Sequence, residues 1–167
     1  LDLISEGQSR YPDLIFEHCD VRDSESLISE SVDIITMSGV LQIFDNWQHI
    51  IENLLLWLKP NGRAVIHGLF NPWAYDVWIK YNESENSNFD EPEAGWNIVS
   101  VESMSDYLVA KGGITFRFKN FQINVDIESR SDDPIRSWTE ENGRFSKDIF
   151  NGLCIRQPHQ FLIINKY

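Results

Sequence analysis

The sequence predicts an α/β protein with a doubly wound, mostly parallel sheet and an antiparallel C-terminal strand. Three stretches carry that expectation. Val32–Thr36, VDIIT, places β-branched residues on both faces, the pattern of a strand buried on both sides of a parallel sheet. Trp47, Ile50, Ile51, Leu54, Leu55 and Leu58 recur at helical i, i+3, i+4 spacing. Arg63–Phe70 is a further strand, separated from that helix by the breaker and turn Lys59-Pro60-Asn61-Gly62. Strand, helix, turn and strand within about 40 residues form one βαβ unit, which closes right-handed.

The flanking elements follow in order. Leu1–Arg10 reads as the tail of a helix, with Leu1 and Ile4 on one face, and Pro12 stops it. Leu14–Cys19 reads as a short strand ending at Asp20, and Asp23-Ser24-Glu25-Ser26 as a capped helical turn. Asn71–Tyr81 is dense in aromatic residues, and 82–95 is polar and acidic. Ser100 caps a helix that runs to Ala110 and ends at Gly112-Gly113. Ile114–Ile127 alternates as one long strand, 134–152 is an irregular excursion, and His159–Asn165 is the last strand.

Composition limits the function. The 167 residues suit one domain, and 42 % hydrophobic residues supply a core. The formal charge of −12 repels phosphate backbones and anionic membrane surfaces, which disfavours nucleic acid and membranes as partners. No apolar run approaches the ~18–20 residues that span a bilayer. Cys19 and Cys154 make no disulfide framework, which fits a reducing compartment and an expected cytoplasmic location.

In an open parallel sheet, ligands sit beyond the carboxyl ends of the strands. Two such ends are polar here. Asp20, followed by Val21, offers an acidic acceptor for an exocyclic amine; Ser38-Gly39, after Met37, is a small pair that lets backbone approach a ligand. His67, near the end of the following strand, is positioned to act as a general base or to sit as a satisfied histidine. Trp73, Tyr75, Trp78 and Tyr81 could cage a cationic or apolar substrate or serve as simple packing. His18, Cys19 and Asp20 are adjacent, so they alternate between faces and make no metal site. His49 falls on the polar side of its helix and reads as solvated.

RYPDLIFEHCDV (Arg10–Val21), VDIITMSGVLQIFDN (Val32–Asn46) and LLLWLKPNGRAVIHGLF (Leu54–Phe70) together resemble the class I S-adenosylmethionine-dependent methyltransferases, a Rossmann-like fold. The resemblance implies S-adenosylmethionine as cofactor. Asp20 then matches the acidic residue that binds the adenine amino group and Val21 lines the ring. Met37, Ser38 and Gly39 match the segment beside the methionyl part, and Leu41–Phe44 pack on the next helix. His67, Trp73 and Tyr75 fall on the substrate side. No catalytic residue is implied, because methyl transfer needs no protein nucleophile.

The family's glycine-rich motif and its ribose-binding acidic residue have no counterpart in the sequence. Asp2 is excluded as that acid, because Ser5–Tyr11 is too short for a helix crossing the sheet. The resemblance therefore implies the C-terminal portion of a single methyltransferase domain over 1–167, without the first βαβ unit of roughly 30 residues or more. Residues 71–99 form a substrate-side lid, and 131–157 an insertion before the last strand. In the family's sheet the first two strands lie between the third and fourth, so Leu14–Cys19 should lack neighbours and Val32–Thr36 should be an edge open to pairing, as in a homodimer. The expected activity is methyl transfer to a small-molecule acceptor. The alternatives are a degenerate, non-catalytic domain acting through protein contacts and, third, a nicotinamide oxidoreductase, whose glycine fingerprint is also missing.

Overall fold

The computed structural model describes residues 2–84, 92–143 and 147–167. Leu1, the acidic tract 85–91 and 144–146 of the expected insertion lie outside the described residues. In chain order the elements are α1 (Asp2–Arg10), β1 (Val32–Ser38), α2 (Trp47–Trp57), β2 (Leu58–Asn71), β3 (Lys80–Tyr81), β4 (Glu93–Ala94), β5 (Val99–Ser100), α3 (Val101–Lys111), β6 (Ile114–Asn120), β7 (Trp138–Glu141), β8 (Lys147–Phe150) and β9 (His159–Lys166). Short 3-10 turns stand at Ser24–Ser26 and Leu41–Ile43.

The main sheet runs β1-β2-β9-β6, with β5 added beside the end of β2. β1 and β5 are parallel to β2, while β9 runs antiparallel between β2 and β6. This is the expected α/β architecture, with the expected antiparallel last strand.

Register divides the sheet into two unlike faces. Met37, Ile66, Leu162 and Phe118 lie side by side across four strands, as do Ile35, Ala64, Ile164 and Phe116. This face packs under α2, through Trp47, Ile50, Ile51 and Leu54, and under α3, through Met104 and Leu108. The Asn46 side chain caps α2 and Ser100 caps α3, each accepting from the backbone N–H three residues on. The two helices also hold one another. Trp47 meets Tyr107 edge-on at 5.2 Å, and Glu52 Oε1 accepts from the Tyr107 hydroxyl and the Lys111 ammonium.

The other face carries Ser38, His67, Phe161 and Lys119 in one row and Thr36, Val65, Ile163 and Arg117 in the next. It is half-buried to exposed over most of its area, and Ile34 in β1 is 65 % exposed. The expected burial of Val32–Thr36 on both sides is thus corrected: in β1 itself only Met37 is buried. β1 pairs with β2 alone among the described residues, so it stands at the edge of the sheet. Leu14–Cys19 forms no strand: it has no ladder partner among the described residues, and Ile15 is 85 % exposed. A ladder needs a neighbour, and none of the described strands reaches this segment.

Two boundaries also differ. Residues 59–62 are absorbed into β2 as a bulge: Val32 pairs with Leu58, but Ile34 already pairs with Arg63. Gly62 is needed there, because a Cβ would come within 2.8 Å of the Lys59 carbonyl oxygen and 3.1 Å of that of Asp33. The long strand expected over Ile114–Ile127 ends at Asn120, where its pairing with β9 ends at Gln160. The excursion contains the β7–β8 hairpin.

Two outcomes follow. Ile51→Ala, at a fully buried position of α2, should cost about 2–5 kcal/mol in a urea or thermal unfolding experiment. The 167-residue polypeptide by itself should associate through the open β1 edge, giving a mass that rises with concentration in light scattering; a monodisperse monomer would show that the edge is protected.

Candidate functional site

α2 positions the first candidate segment without any strand. Asn53, buried in the middle of α2, donates through Nδ2 to the Val21 carbonyl at 2.8 Å. His49 Nε2 meets the Arg22 carbonyl at 2.8 Å, and Trp57 Nε1 donates to Ser24 O at 2.9 Å. One face of the helix thus sews down the loop that carries Asp20 and Val21. His49 is therefore not merely solvated, and Asn53 is a positioning residue that the sequence pattern hid among apolar neighbours. Val21 packs against the core edge.

Asp20 is engaged by its own loop. Arg22 donates from its backbone N–H at 2.9 Å and from Nε and Nη2 at 2.6–3.1 Å to the two carboxylate oxygens. These hydrogen bonds, assisted by the guanidinium charge, hold the carboxyl down at about 2. It stays an anion, and an incoming amine must share it with Arg22.

The second segment sits where β1 leaves the sheet. The Met37 side chain turns into the core, so only its backbone borders the strand mouth. Gly39 has φ +70°, a left-handed conformation that favours glycine. Its N–H donates to the His67 carbonyl at 3.0 Å, and the side where a Cβ would stand is open as far as Gln42 Nε2, 3.7 Å away. Ser38 Oγ lies 3.2 Å from His67 Nδ1. His67 Nε2 lies 3.1 Å from His159 Nδ1, with the two rings stacked at 4.9 Å and 17°. Phe121 and Phe161 flank His67 at 4.7 and 5.2 Å. Burial lowers the pKa of both histidines; burial and the neighbouring His67 bring His159 to about 4. The sequence marks His159 only as part of a strand, since nothing local shows its pairing with a residue 92 positions earlier.

The segment after Ser38-Gly39 is tied to the region 71–99. Of Leu41–Phe44, Leu41 is in the core and Phe44 packs against it, as expected, whereas Ile43 is 46 % exposed. Asn97, also buried, donates its backbone N–H to Gln42 O and its Nδ2 to Asp45 Oδ1, while its Oδ1 accepts from Ile79 N. Lys80 adds an ion pair to Asp45. Asn71 clamps the aromatic turn, accepting from Trp73 N and donating to Tyr75 O. Trp73 and Tyr75 are each 73 % exposed. Trp73, Phe121, Arg156 and His159 help to wall a cleft of about 530 Å³ between this turn and the β7–β8 hairpin; Tyr75 and Ser38 do not line it. No cluster of three or more His, Cys, Asp or Glu side chains suited to a metal occurs among the described residues.

Comparison with known proteins bears on the fold. Residues 3–66 match a family model described as a methyltransferase domain. Among solved structures, the 1,6-didemethyltoxoflavin-N1-methyltransferase of Burkholderia thailandensis aligns with a TM-score of 0.53 at 13 % identity, over 97 % of this chain and 55 % of its own. The YcgJ protein of Bacillus subtilis aligns at 0.59 and 12 %, over 99 % and 78 %. A SAM-dependent methyltransferase of Methanosarcina mazei aligns at 0.55 and 11 %, over 91 % and 66 %. No curated protein matches the sequence. The chain carries the class I S-adenosylmethionine-dependent methyltransferase fold, with the methyltransferase-domain sequence pattern over residues 3–66. It spans only about half to two thirds of two of these three structures.

Two titrations test the site. Asp20 should titrate near 2 by carboxyl NMR and move up toward 3.8 in Arg22→Ala. His159 has its folded pKa below its unfolded one, so the unfolded chain binds the extra proton between about 6.5 and 4. Stability should accordingly fall as pH drops through that window, and His159→Phe should flatten the dependence measured by denaturant midpoints.

Proposed function

We propose that this chain is the C-terminal portion of an enzyme that transfers a methyl group from S-adenosylmethionine to a small-molecule acceptor. One observation carries the reading. The methyltransferase pattern at 3–66 contains both cofactor-side segments, and α2 secures both: Asp20–Val21 through Asn53 and His49, and Met37–Gly39 through the core shared with Met37 and Leu41.

The residues present fit one flank of the cofactor. Asp20, held ionised at an exposed loop, would accept from the adenine amine in competition with Arg22, with Val21 beside the ring. Ser38 and the open side of Gly39 would border the methionyl part. The bound cofactor would supply an electrophilic sulfonium methyl. The protein's contribution is then positioning. The described parts of 71–99 act as the substrate-side lid, with Trp73 on the cleft wall and Tyr75 on the outer surface, and the described parts of 131–157, through Lys147, Ile149 and Arg156, close the far side of the cleft. The acceptor is a small molecule on the scale of that cleft, and the methyltransferase of B. thailandensis, whose structure holds 1,6-didemethyltoxoflavin, is compatible with this class.

A second reading, a non-catalytic domain acting through protein contacts, is favoured by the occupation of both Asp20 oxygens by Arg22. Calorimetry on the full protein separates the two. For the enzyme, S-adenosylmethionine binds and Asp20→Ala weakens it by about 1.5–3 kcal/mol, the range of a charged hydrogen bond; absence of binding supports the second. Trp73→Ala should raise KM for the acceptor more than for the cofactor, and equal effects on both would assign Trp73 to packing.

A further inference from the structure

Ser38, His67 and His159 come from three strands and form one unbroken hydrogen-bonded chain on the open face of the sheet. Register explains how. Ser38 pairs with His67 across β1 and β2, while His159 and Phe161 enter the same face from β9 beside them. At one end the Ser38 residue is exposed at the strand mouth; at the other, His159 forms part of the cleft wall.

We propose that His67 is the proton acceptor for an acceptor substrate that extends from the cleft at His159 to the strand mouth and presents there a hydroxyl or N–H group to the Ser38 hydroxyl, and that His159 is the positioning residue that makes His67 basic at Nδ1. This deepens the methyltransferase reading and rests on it.

The assignment follows from where charge can settle. His159 is the deeper ring, so a captured proton is costlier there than on His67. A protonated His67 finds an acceptor for each ring N–H: Ser38 Oγ at 3.2 Å and His159 Nδ1 at 3.1 Å. Removing the proton that faces Ser38 leaves the base form. His67 then keeps Nε2–H, donates it to His159, and presents a lone pair at Nδ1 to the Ser38 hydroxyl. His159 consequently carries its own proton on Nε2, which is shielded from water and has no partner among the described residues.

The step balances with a sulfonium methyl donor as co-reactant. The acceptor's O or N lone pair forms the bond to the methyl carbon as the S–CH3 bond breaks, its electron pair remaining on sulfur. The acceptor's proton moves to Ser38 Oγ while the Ser38 proton moves to His67 Nδ1. A substrate that arrives already ionised, such as a carboxylate, would gain nothing from the chain.

The experiment is 15N NMR of the imidazole rings in the full protein, with His159→Leu and His159→Asn as variants. His67 should be protonated at Nε2 in the native protein. His159→Leu should redistribute the proton between the two nitrogens, and His159→Asn, whose amide oxygen can stand near the lost Nδ1, should restore it. With a hydroxyl or N–H acceptor, His159→Leu should lower kcat roughly 10²-fold, within the usual worth of a placed base, a far larger change than in KM, with recovery of kcat in His159→Asn. A native His67 protonated at Nδ1, or a His67 ring indifferent to His159→Leu, would overturn the proposal. The NMR result does not depend on turnover, and cofactor binding measured separately reports on the underlying methyltransferase reading.

Discussion

The arrangement depends on β2 being paired along both edges at once. β1 runs parallel to it through Ser38↔His67, and β9 runs antiparallel through Arg63↔Asn165 to Leu69↔His159. Because β9 is held by β2 and in turn holds β6, slipping β2 by one residue would turn Ala64 and Ile66 out of the core and His67 into it. The same register sets Ser38, His67, Phe161 and His159 on the open side. Core and candidate site are opposite faces of one hydrogen-bonding pattern. The β2 bulge at 59–62, with its backbone contact at Gly62, is where that register is set immediately after α2 ends. Lys166, from the far end of β9, donates to the Leu55 and Leu58 carbonyls there and ties the last strand to the same junction.

Most of the central unit was legible because local chemistry and tertiary packing agree within it. The apolar series of α2 points where the core is, Asn46 and Ser100 cap the helices they precede, and Phe116 and Phe118 face inward as alternation requires. Leu14–Cys19 shows the opposite case. Its composition is that of a strand, yet a strand is a property of a pair, and composition does not show whether the partner is within reach. The expected absence of neighbours came from the family's strand order and not from the segment itself. Likewise, the double burial expected of Val32–Thr36 was a statement about layers that β-branched residues cannot supply from one strand.

The site was legible where it follows strand ends and hidden where it follows distant pairing. Ser38 and Gly39 stand at the end of β1, where the sequence puts them; Asp20 was placed by a strand end that the structure does not form. Asn53 could not be read from its position, because a polar residue inside an apolar helix reads as surface until a backbone carbonyl is found opposite it. His159 needed the β2–β9 register, and Asn97 needed the return of the chain from the lid to Gln42 and Asp45.

The two halves of the site are fastened differently, and that bears on how it could work. The Asp20 loop hangs on α2 by side-chain bonds to its backbone, with Asp20 itself turned onto the neighbouring Arg22. Such a loop can exchange Arg22 for a ligand amine without disturbing the sheet, since the Asn53 and Trp57 bonds are to backbone carbonyls that the exchange leaves alone. The Ser38 end is built into the ladder, so its hydroxyl and the imidazoles behind it are fixed in relation to one another before any ligand arrives. A group that recognises can tolerate adjustment; a proton relay gains from donor and acceptor held within hydrogen-bond reach, as Ser38 Oγ and His67 Nδ1 are at 3.2 Å. The rigid fastening lies where proton transfer would need it, and the adjustable one where binding would.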